Sequence, residues 1–322
     1  DFVRKGAPLK EIVVDYYLNF IPYFMNMYSP LFVFLTVVFF TSKMTQDSEV
    51  IAVLSSGISY HRLMVPYMVS AVFIALLSLC LSLWVLPPAN GHRVDFEQKY
   101  IPRMKVTTGH NMHFKLEDDH FVFLESYSGY NNTAYNFTLE DLSGGRLRSK
   151  ITAESAQYDT VSGVWHLRNW FMRDYDEGLG DHVRSGKQLD TALSLTSADF
   201  TRNKYTLTRL NEQALDELIA VQKQRGDASV KEALIEKNNR FSLPFSAIIL
   251  TILGVALCTK KKRGGMGLNL AMGTALAFSY ILFMQFSEMF VYTDTLPASV
   301  AIWLPNWLYA VIAIVLYIKA PK

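Results

Sequence analysis

The sequence of 322 residues contains very little cysteine and no excess of charge of either sign. Its two cysteines, Cys80 and Cys258, lie inside long apolar runs, so neither a disulfide framework nor a thiolate metal site is indicated. Lysine and arginine total 31 against 29 aspartate and glutamate residues, which leaves a net charge of +2. This balance, with 50% apolar residues, points away from nucleic-acid binding and from disorder.

The motifs of common catalytic centres are missing as well. The sequence has no H-E-x-x-H, no G-x-S-x-G and no Walker phosphate loop. One group has the chemistry of metal ligands; it comprises His110, His113, His120, Glu117, Asp118 and Asp119. These residues stand in a polar strand-turn-strand region, where such side chains are usually solvated. The sequence therefore predicts neither an enzyme nor a metal or cofactor held by this chain.

Charge is nearly absent from five long stretches of the chain. These apolar runs cover residues 16–42, 63–91, 241–259, 266–287 and 296–318. The shortest has 19 residues, close to the ~20 that a membrane-spanning helix needs. Buried helices of a soluble core are the alternative, and five such runs in one chain argue against it. The sequence predicts an α-helical polytopic membrane protein with five visible spans, of which Pro87 and Pro88 should end the second.

Basic residues cluster in the short loops at one end of these spans. They are Lys43, Arg62, the KKKR of residues 260–263, Lys319 and Lys322. The opposite loop, residues 288–295, has no lysine or arginine, so the positive-inside rule places the basic loops and the C-terminus in the cytoplasm. Five spans then put Asp1 on the outer side. Because the sequence begins with Asp and not with Met, and begins on the outer side, an upstream segment is expected. A missing first transmembrane helix is favoured over a lost signal peptide.

The chain between residues 92 and 206 reads as a soluble insertion of strands and turns. Strand-like stretches occur at residues 121–124, 137–139, 151–153, 164–167 and 193–195, and turn clusters separate them. Short strands at this spacing favour an all-β sandwich or jelly roll, with no helix expected inside it. Helical spacing returns over residues 207–239, as a connector into the third span. The predicted order is a first transmembrane part (1–91), the β domain, the connector and a second transmembrane part (240–322).

A short amphipathic helix is predicted over residues 45–57, between the first two spans. Thr45 is expected as its N-cap, and Asp47, Ser48 and Glu49 then fall in the first turn, where acidic groups meet the positive end of the helix dipole. Gly57 is a natural stop. Three turns of helix are far too short to cross a bilayer.

The apolar side of this helix carries Val50, Ile51 and Leu54 at helical spacing. A patterned helix in a hairpin loop indicates a surface that another molecule grips. The alternative is an interfacial helix lying on the lipid headgroups. Because the spans carry almost no ionisable residues, a proton- or sodium-driven carrier is not indicated. If the protein transports a substrate, its energy must come from elsewhere.

Several stretches resemble one family, the LptF/LptG permeases (YjgP/YjgQ family) of the lipopolysaccharide exporter. Residues 47–59 (DSEVIAVLSSGIS) resemble the family's cytoplasmic coupling helix. Glu236, residues 239–244 (NRFSLP) and residues 253–255 (LGV) are similar to the start of its fourth helix. Residues 151–158 and 163–173 also resemble strands of its jelly-roll domain. Family members have six helices, so the resemblance implies that the first is absent here.

The resemblance implies a pair of homologous permeases on a dimeric cytosolic ATPase, LptB, which holds ATP and magnesium. The pair extracts lipopolysaccharide from the inner membrane and passes it through periplasmic jelly rolls to the bridge proteins LptC and LptA. The ATPase-coupling residues would be Asp47, Ser48, Glu49, Val50, Ile51, Leu54 and Gly57; no lipid-binding residue is assigned. An apolar groove between the sheets of the β domain is expected to shield acyl chains from water.

Two hypotheses of function remain at this point. The first is a permease subunit of an ATP-driven exporter of lipopolysaccharide. The second is a membrane-anchored extracytoplasmic binding or scaffold protein without transport activity, whose cytoplasmic helix is merely interfacial. Association with a cytosolic ATPase separates the two.

Overall fold

The computed structural model describes residues 2–100, 110–116, 119–175, 180–200, 204–227, 229–259 and 265–320. Its main helices are α1 (Leu9–Gln46), α2 (Glu49–Ser55), α3 (Tyr60–Tyr100), α4 (Glu212–Gln224), α5 (Val230–Cys258), α6 (Gly265–Tyr292) and α7 (Ala298–Ile318). The strands are β1 (His110–Lys115), β2 (His120–Ser128), β3 (Thr133–Asp141), β4 (Ser149–Tyr158), β5 (Trp165–Asp174) and β6 (His182–Thr191). Shorter helical turns lie at Val3–Lys5, Ser143–Gly145, Ser197–Phe200 and Lys204–Leu207.

The chain forms two compact units. The β unit comprises Asp1–Tyr16 and Gly91–Ala233, and the membrane unit comprises Tyr17–Asn90 and Leu234–Lys322. Helices α1, α3, α5, α6 and α7 are each long and apolar enough to cross a membrane. The five spans and the inserted sheet confirm the predicted fold of a polytopic helical protein with an all-β insertion.

The prediction that Pro87 and Pro88 end the second span is wrong, because α3 continues to Tyr100. The residues just before these prolines, Leu81–Val85, are π-helical. Proline lacks an N–H donor and its ring crowds the carbonyl of the preceding turn, and a wider π-helical turn accommodates both effects. A second π-helical segment, Ile12–Tyr17, lies near the start of α1, and Pro22 follows in the α-helical part. The continuation of α3 and the helical turns near residue 200 also correct the expectation of no helix within residues 92–206.

Helix α1 packs at close range against both α5 and α6. A Cβ atom added to Gly254 of α5 would lie 3.0 Å from Val37 Cγ1, and one added to Gly273 of α6 would lie 2.8 Å from Val38 Cγ1. Phe34 and Val38 are fully buried in the resulting cluster. Glycines at helix crossings let backbones approach closely in a membrane. Helix α1 is therefore fixed between its two neighbours in the membrane unit.

The β unit contains one antiparallel sheet with its six strands in sequence order. Along each central strand, the pattern of buried side chains changes phase at one residue. On β3, Phe137 and Ala134 both belong to the core although they are three residues apart, and Asn136 between them has a φ of 48°. Asn169 has a φ of 50° at the corresponding point of β5. A left-handed residue interrupts the alternation of a strand and redirects it.

These positions form a single row across the sheet. By the strand registers, Glu125, Asn136, Glu154 and Asn169 follow one another on β2 to β5. The side-chain amide of Asn136 donates to Glu125, and that of Asn169 donates to Glu154 Oε2 at 2.6 Å. The row acts as a crease, and the two halves of the sheet contribute to one hydrophobic core.

This core is filled by the chain's own side chains. Trp165, Tyr127 and Phe137 are fully buried on the inner face. Leu195, predicted on a strand, instead follows β6 and accepts a hydrogen bond of 3.0 Å from Trp165 Nε1 through its carbonyl. Phe200 stacks on Tyr127 with 4.6 Å between ring centroids. Leu195 and Phe200 therefore occupy the inner face where the sequence predicts an open apolar groove.

Candidate functional site

The segment between α1 and α3 forms a corner at one end of the membrane unit. Helix α1 extends to Gln46, and α2 begins only at Glu49, so α2 has seven residues. Thr45 is therefore not the predicted N-cap: it lies within α1 and is 2% exposed. Ser48 precedes α2 with a φ of 63°, and Gly57 follows it with a φ of 88°. Both residues adopt left-handed backbone conformations, which turn the chain sharply on either side of α2.

The inner side of α2 packs against its own chain. Val50 is only 1% exposed. Leu54 is partly buried against a cluster that contains Tyr60 and Met64 of α3 and Val255 of α5. Val50 and Leu54, which the sequence assigns to a partner-facing surface, are thus held within the membrane unit in this structure.

The exposed side of α2 carries both apolar and acidic side chains. Ile51 is 44% exposed and Ile58, just beyond the helix, is 40% exposed. Asp47 and Glu49 are exposed at the start of the same segment. The hydroxyl of Ser55 donates to the Ile51 carbonyl at 2.5 Å, so this polar group is satisfied within the helix. The predicted site residues that are exposed are Asp47, Ser48, Glu49, Ile51 and Gly57.

The α2 corner is joined to the ends of two further spans. The Tyr60 ring, at the start of α3, lies 5.3 Å from the Tyr317 ring near the end of α7. His61 Nδ1 and the Tyr317 hydroxyl are 3.2 Å apart. The Tyr60 hydroxyl lies 3.4 Å from Thr259 Oγ1, directly after α5. A force applied to this corner would therefore reach α1, α3, α5 and α7 through direct contacts.

A comparison with protein families identifies the chain. The model of the lipopolysaccharide export system permease LptF/LptG matches residues 1–319, almost the entire sequence. The chain belongs to the LptF/LptG family. No individual curated protein matches it significantly. An LptF/LptG chain is the permease component of the lipopolysaccharide export system and works with partner subunits.

The membrane unit of this LptF/LptG chain contains polar contacts that the sequence analysis overlooked. Asn26 donates to Ser82 Oγ at 2.8 Å, linking α1 to α3. Asn306 donates to the Ser242 carbonyl at 2.9 Å and accepts from the Tyr280 hydroxyl at 2.8 Å, linking α7 to α5 and α6. Polar side chains in membrane helices hydrogen-bond across helices. Asparagine residues within the apolar runs are the sequence signal of such contacts, whereas ionisable residues give no indication of them.

The structure describes Glu288, but it describes the candidate metal ligands near residue 117 only in part. Glu288, in the last turns of α6, is half-buried and accepts a hydrogen bond of 3.3 Å from Asn239. Glu117, Asp118 and the KKKR loop lie outside the described residues. In the part of the chain that the structure describes, no three His, Cys, Asp or Glu side chains are grouped to hold a metal ion.

Proposed function

We propose that this chain is one permease subunit of an ATP-driven lipopolysaccharide exporter in the bacterial inner membrane. The observation that carries the proposal is the α2 corner. An exposed face with Ile51, Ile58, Asp47 and Glu49 stands on a corner whose inner side is packed against the ends of several spans. Such an element transmits a change of shape in a docked partner to the membrane helices.

The partner at this face would be a dimeric cytosolic ATPase of the LptB type. Apolar anchors surrounded by polar groups are typical of interface centres. Ile51 and Ile58 would enter an apolar depression of the ATPase, and Asp47 and Glu49 would face its basic groups. ATP and magnesium would bind to the ATPase, and this chain would hold no cofactor.

The orientation of the chain in the membrane is inferred from the basic residues at the ends of the spans. Lys43, Arg62 and Lys319 are exposed near the corner, whereas the turn between α6 and α7 contains no basic residue. The positive-inside rule favours a cytoplasmic corner and a periplasmic β unit. The remaining partners would be a second homologous permease, bridge proteins of the LptC and LptA type, lipopolysaccharide and membrane lipids.

The β unit would receive the acyl chains of lipopolysaccharide only after a rearrangement. Leu195 and Phe200 cover the inner face of the sheet, and both are almost fully buried. A substrate chain entering this core would have to displace them. The transfer of lipid to the bridge proteins would then include a step in which the segment after β6 moves away from Trp165 and Tyr127.

Co-purification with the cytosolic ATPase tests the proposal. Ile51→Asp places a charge at the centre of the proposed contact, and an interfacial anchor contributes ~2 kcal/mol or more. We expect the apparent affinity for the ATPase to fall by at least about thirtyfold, and Glu49→Ala to give a smaller fall. Ile51 is the better target than Leu54, because Leu54→Asp would also disturb the packing of the corner.

A matched control is Val161→Asp, which makes the same kind of change at a 94% exposed residue of the β unit. This variant should retain the ATPase. A full-length protein that never retains an ATPase, or that retains it equally well after Ile51→Asp, would favour the scaffold hypothesis with an interfacial α2.

A further inference from the structure

An apolar groove of about 570 Å³ lies on the membrane unit between α1 and α3. It is lined chiefly by large apolar side chains, including Phe32, Phe40 and Met44 of α1 and Leu63, Tyr67 and Ile74 of α3. Four polar side chains lie on its wall: Thr36, Tyr67, Ser70 and Thr251. The Tyr67 hydroxyl accepts from Thr41 at 3.2 Å, and the Thr251 hydroxyl donates to the Ala247 carbonyl at 2.7 Å. The groove, whose lining is mostly apolar, therefore suits hydrocarbon.

The length of the groove matches one leaflet of a bilayer. Its α1 wall extends from Phe32 to Met44, which at 1.5 Å per residue is about 18 Å. The hydrocarbon core of a bilayer is ~30 Å thick, so one leaflet occupies ~15 Å. A single acyl chain lying along the helices would fill the groove from the middle of the membrane to its surface.

Two basic side chains stand at the end of the groove nearest α2. Lys43 precedes the lining residue Met44, and Arg62 precedes the lining residue Leu63. Both are exposed. Lys43 follows Phe40 by three residues and so lies on the groove side of α1. Long basic side chains at the ends of membrane helices extend to the headgroup level while their stems cover apolar surface.

We propose that this groove binds one acyl chain of an anionic phospholipid, whose phosphate lies between Lys43 and Arg62. The leaflet would be the cytoplasmic one, which rests on the orientation given under the proposed function. The bound lipid would contact α1 and α3 immediately beside the α2 corner. Its occupancy would therefore set the spacing of the two helices that carry the ATPase-docking face.

Lipid titration followed by native mass spectrometry tests this site. The purified full-length protein in detergent is titrated with phosphatidylglycerol carrying two 14-carbon chains, and separately with phosphatidylcholine carrying the same chains. One saturable phosphatidylglycerol site is expected. Each cation near a membrane surface strengthens the binding of anionic lipid about fivefold. In the double variant Lys43→Gln/Arg62→Gln, the ratio of the affinity for phosphatidylglycerol to that for phosphatidylcholine should therefore fall by roughly twenty- to thirtyfold.

A second variant tests the acyl-chain part of the site. Ser70→Phe fills the groove and should weaken the binding of both lipids. Val69→Phe is its matched control, because Val69 is the preceding residue of α3, is 65% exposed and does not line the groove. Lys319→Gln is the charge control, since α7 contributes no lining residue and Lys319 is exposed.

Three results would overturn the proposal. These are equal binding of the two lipids to the unmodified protein, equal effects of Ser70→Phe and Val69→Phe, and loss of the bound lipid when partner subunits assemble. The last result would mean that a helix of a partner occupies the groove. The measurement needs no ATP, so a failure here leaves the proposed coupling to the ATPase intact, and a failure of that coupling leaves the lipid site intact.

Discussion

A difference of one residue along α2 separates a side chain that supports the corner from one that is open to a partner. Val50 is buried and Ile51 is exposed, although both are β-branched and apolar. Helical spacing predicted that the two residues, with Leu54, form one apolar side facing a partner, whereas Ile51 alone of the three is exposed. It did not identify which part of that side packs on α3 and α5, because this choice depends on Tyr60, Met64 and Val255, which are distant in the sequence or beyond a turn.

Substitutions of Asn169 test whether its left-handed backbone conformation stabilises the crease of the β sheet. A β-branched residue is strained in the left-handed region by ~1–2 kcal/mol, whereas glycine is not. We expect Asn169→Val to lower the free energy of unfolding of the β unit by at least this amount. Asn169→Gly should have a smaller effect, which reflects the loss of the hydrogen bond to Glu154. Urea unfolding followed by tryptophan fluorescence measures both, and equal losses would contradict the role given to the backbone conformation.

Asp141 gives the stability of the β unit a pH dependence of known sign. The side-chain hydroxyl of Ser143, and then its backbone N–H, donate to the carboxylate and hold the pKa of Asp141 below its ordinary value. A lowered pKa in the folded state stabilises the protein above the unfolded pKa, which is about 4, and the stabilisation is lost as the pH falls through the folded pKa. Unfolding in urea should show a larger deficit for Asp141→Asn at pH 7 than at pH 2. An equal deficit at the two pH values would exclude this linkage.

At the scale of whole elements, the packing of α1 against α6 depends on a missing side chain. Gly273→Ala would bring its Cβ to 2.8 Å from Val38, so one of the two helices must shift. We expect a clear fall in the melting temperature of the protein in detergent. Gly267 of the same helix has no neighbour within 4 Å of an added Cβ, and Gly267→Ala should be neutral or slightly stabilising. Similar melting temperatures for the two variants would show that α1 is not fixed as described.

The elements differ in how far the sequence specifies them. The five spans and four of the strands were predictable, because apolar length and turn residues are local signals. The continuation of α3 past Pro87 was not predictable, because a π-helical turn just before the prolines lets the helix accommodate them. The crease was not predictable either. Asparagine is common in turns, and only the strand registers show that Asn136 lies opposite Glu125 and Asn169 opposite Glu154.

At the scale of the whole molecule, the two ends of the membrane helices should differ in accessibility. Single cysteines in place of Gly144 in the β unit and Ser56 after α2 provide the probes, in a variant whose two native cysteines are replaced. A membrane-impermeant thiol reagent applied to spheroplasts should label position 144 and leave position 56 unlabelled. Labelling in the reverse pattern would invert the proposed orientation, and with it the leaflet assigned to the lipid groove.

The coupling of ATP hydrolysis to lipid movement through the α2 corner is the central claim. Its most direct measurement is the transfer of lipopolysaccharide from proteoliposomes that contain the assembled exporter to a bridge-protein acceptor. With the unmodified chain, transfer should require ATP, and with Ile51→Asp it should fall to the level seen without ATP. Val161→Asp should behave as the unmodified chain. Undiminished ATP-dependent transfer by the Ile51→Asp exporter would contradict the assignment of α2 as the coupling element.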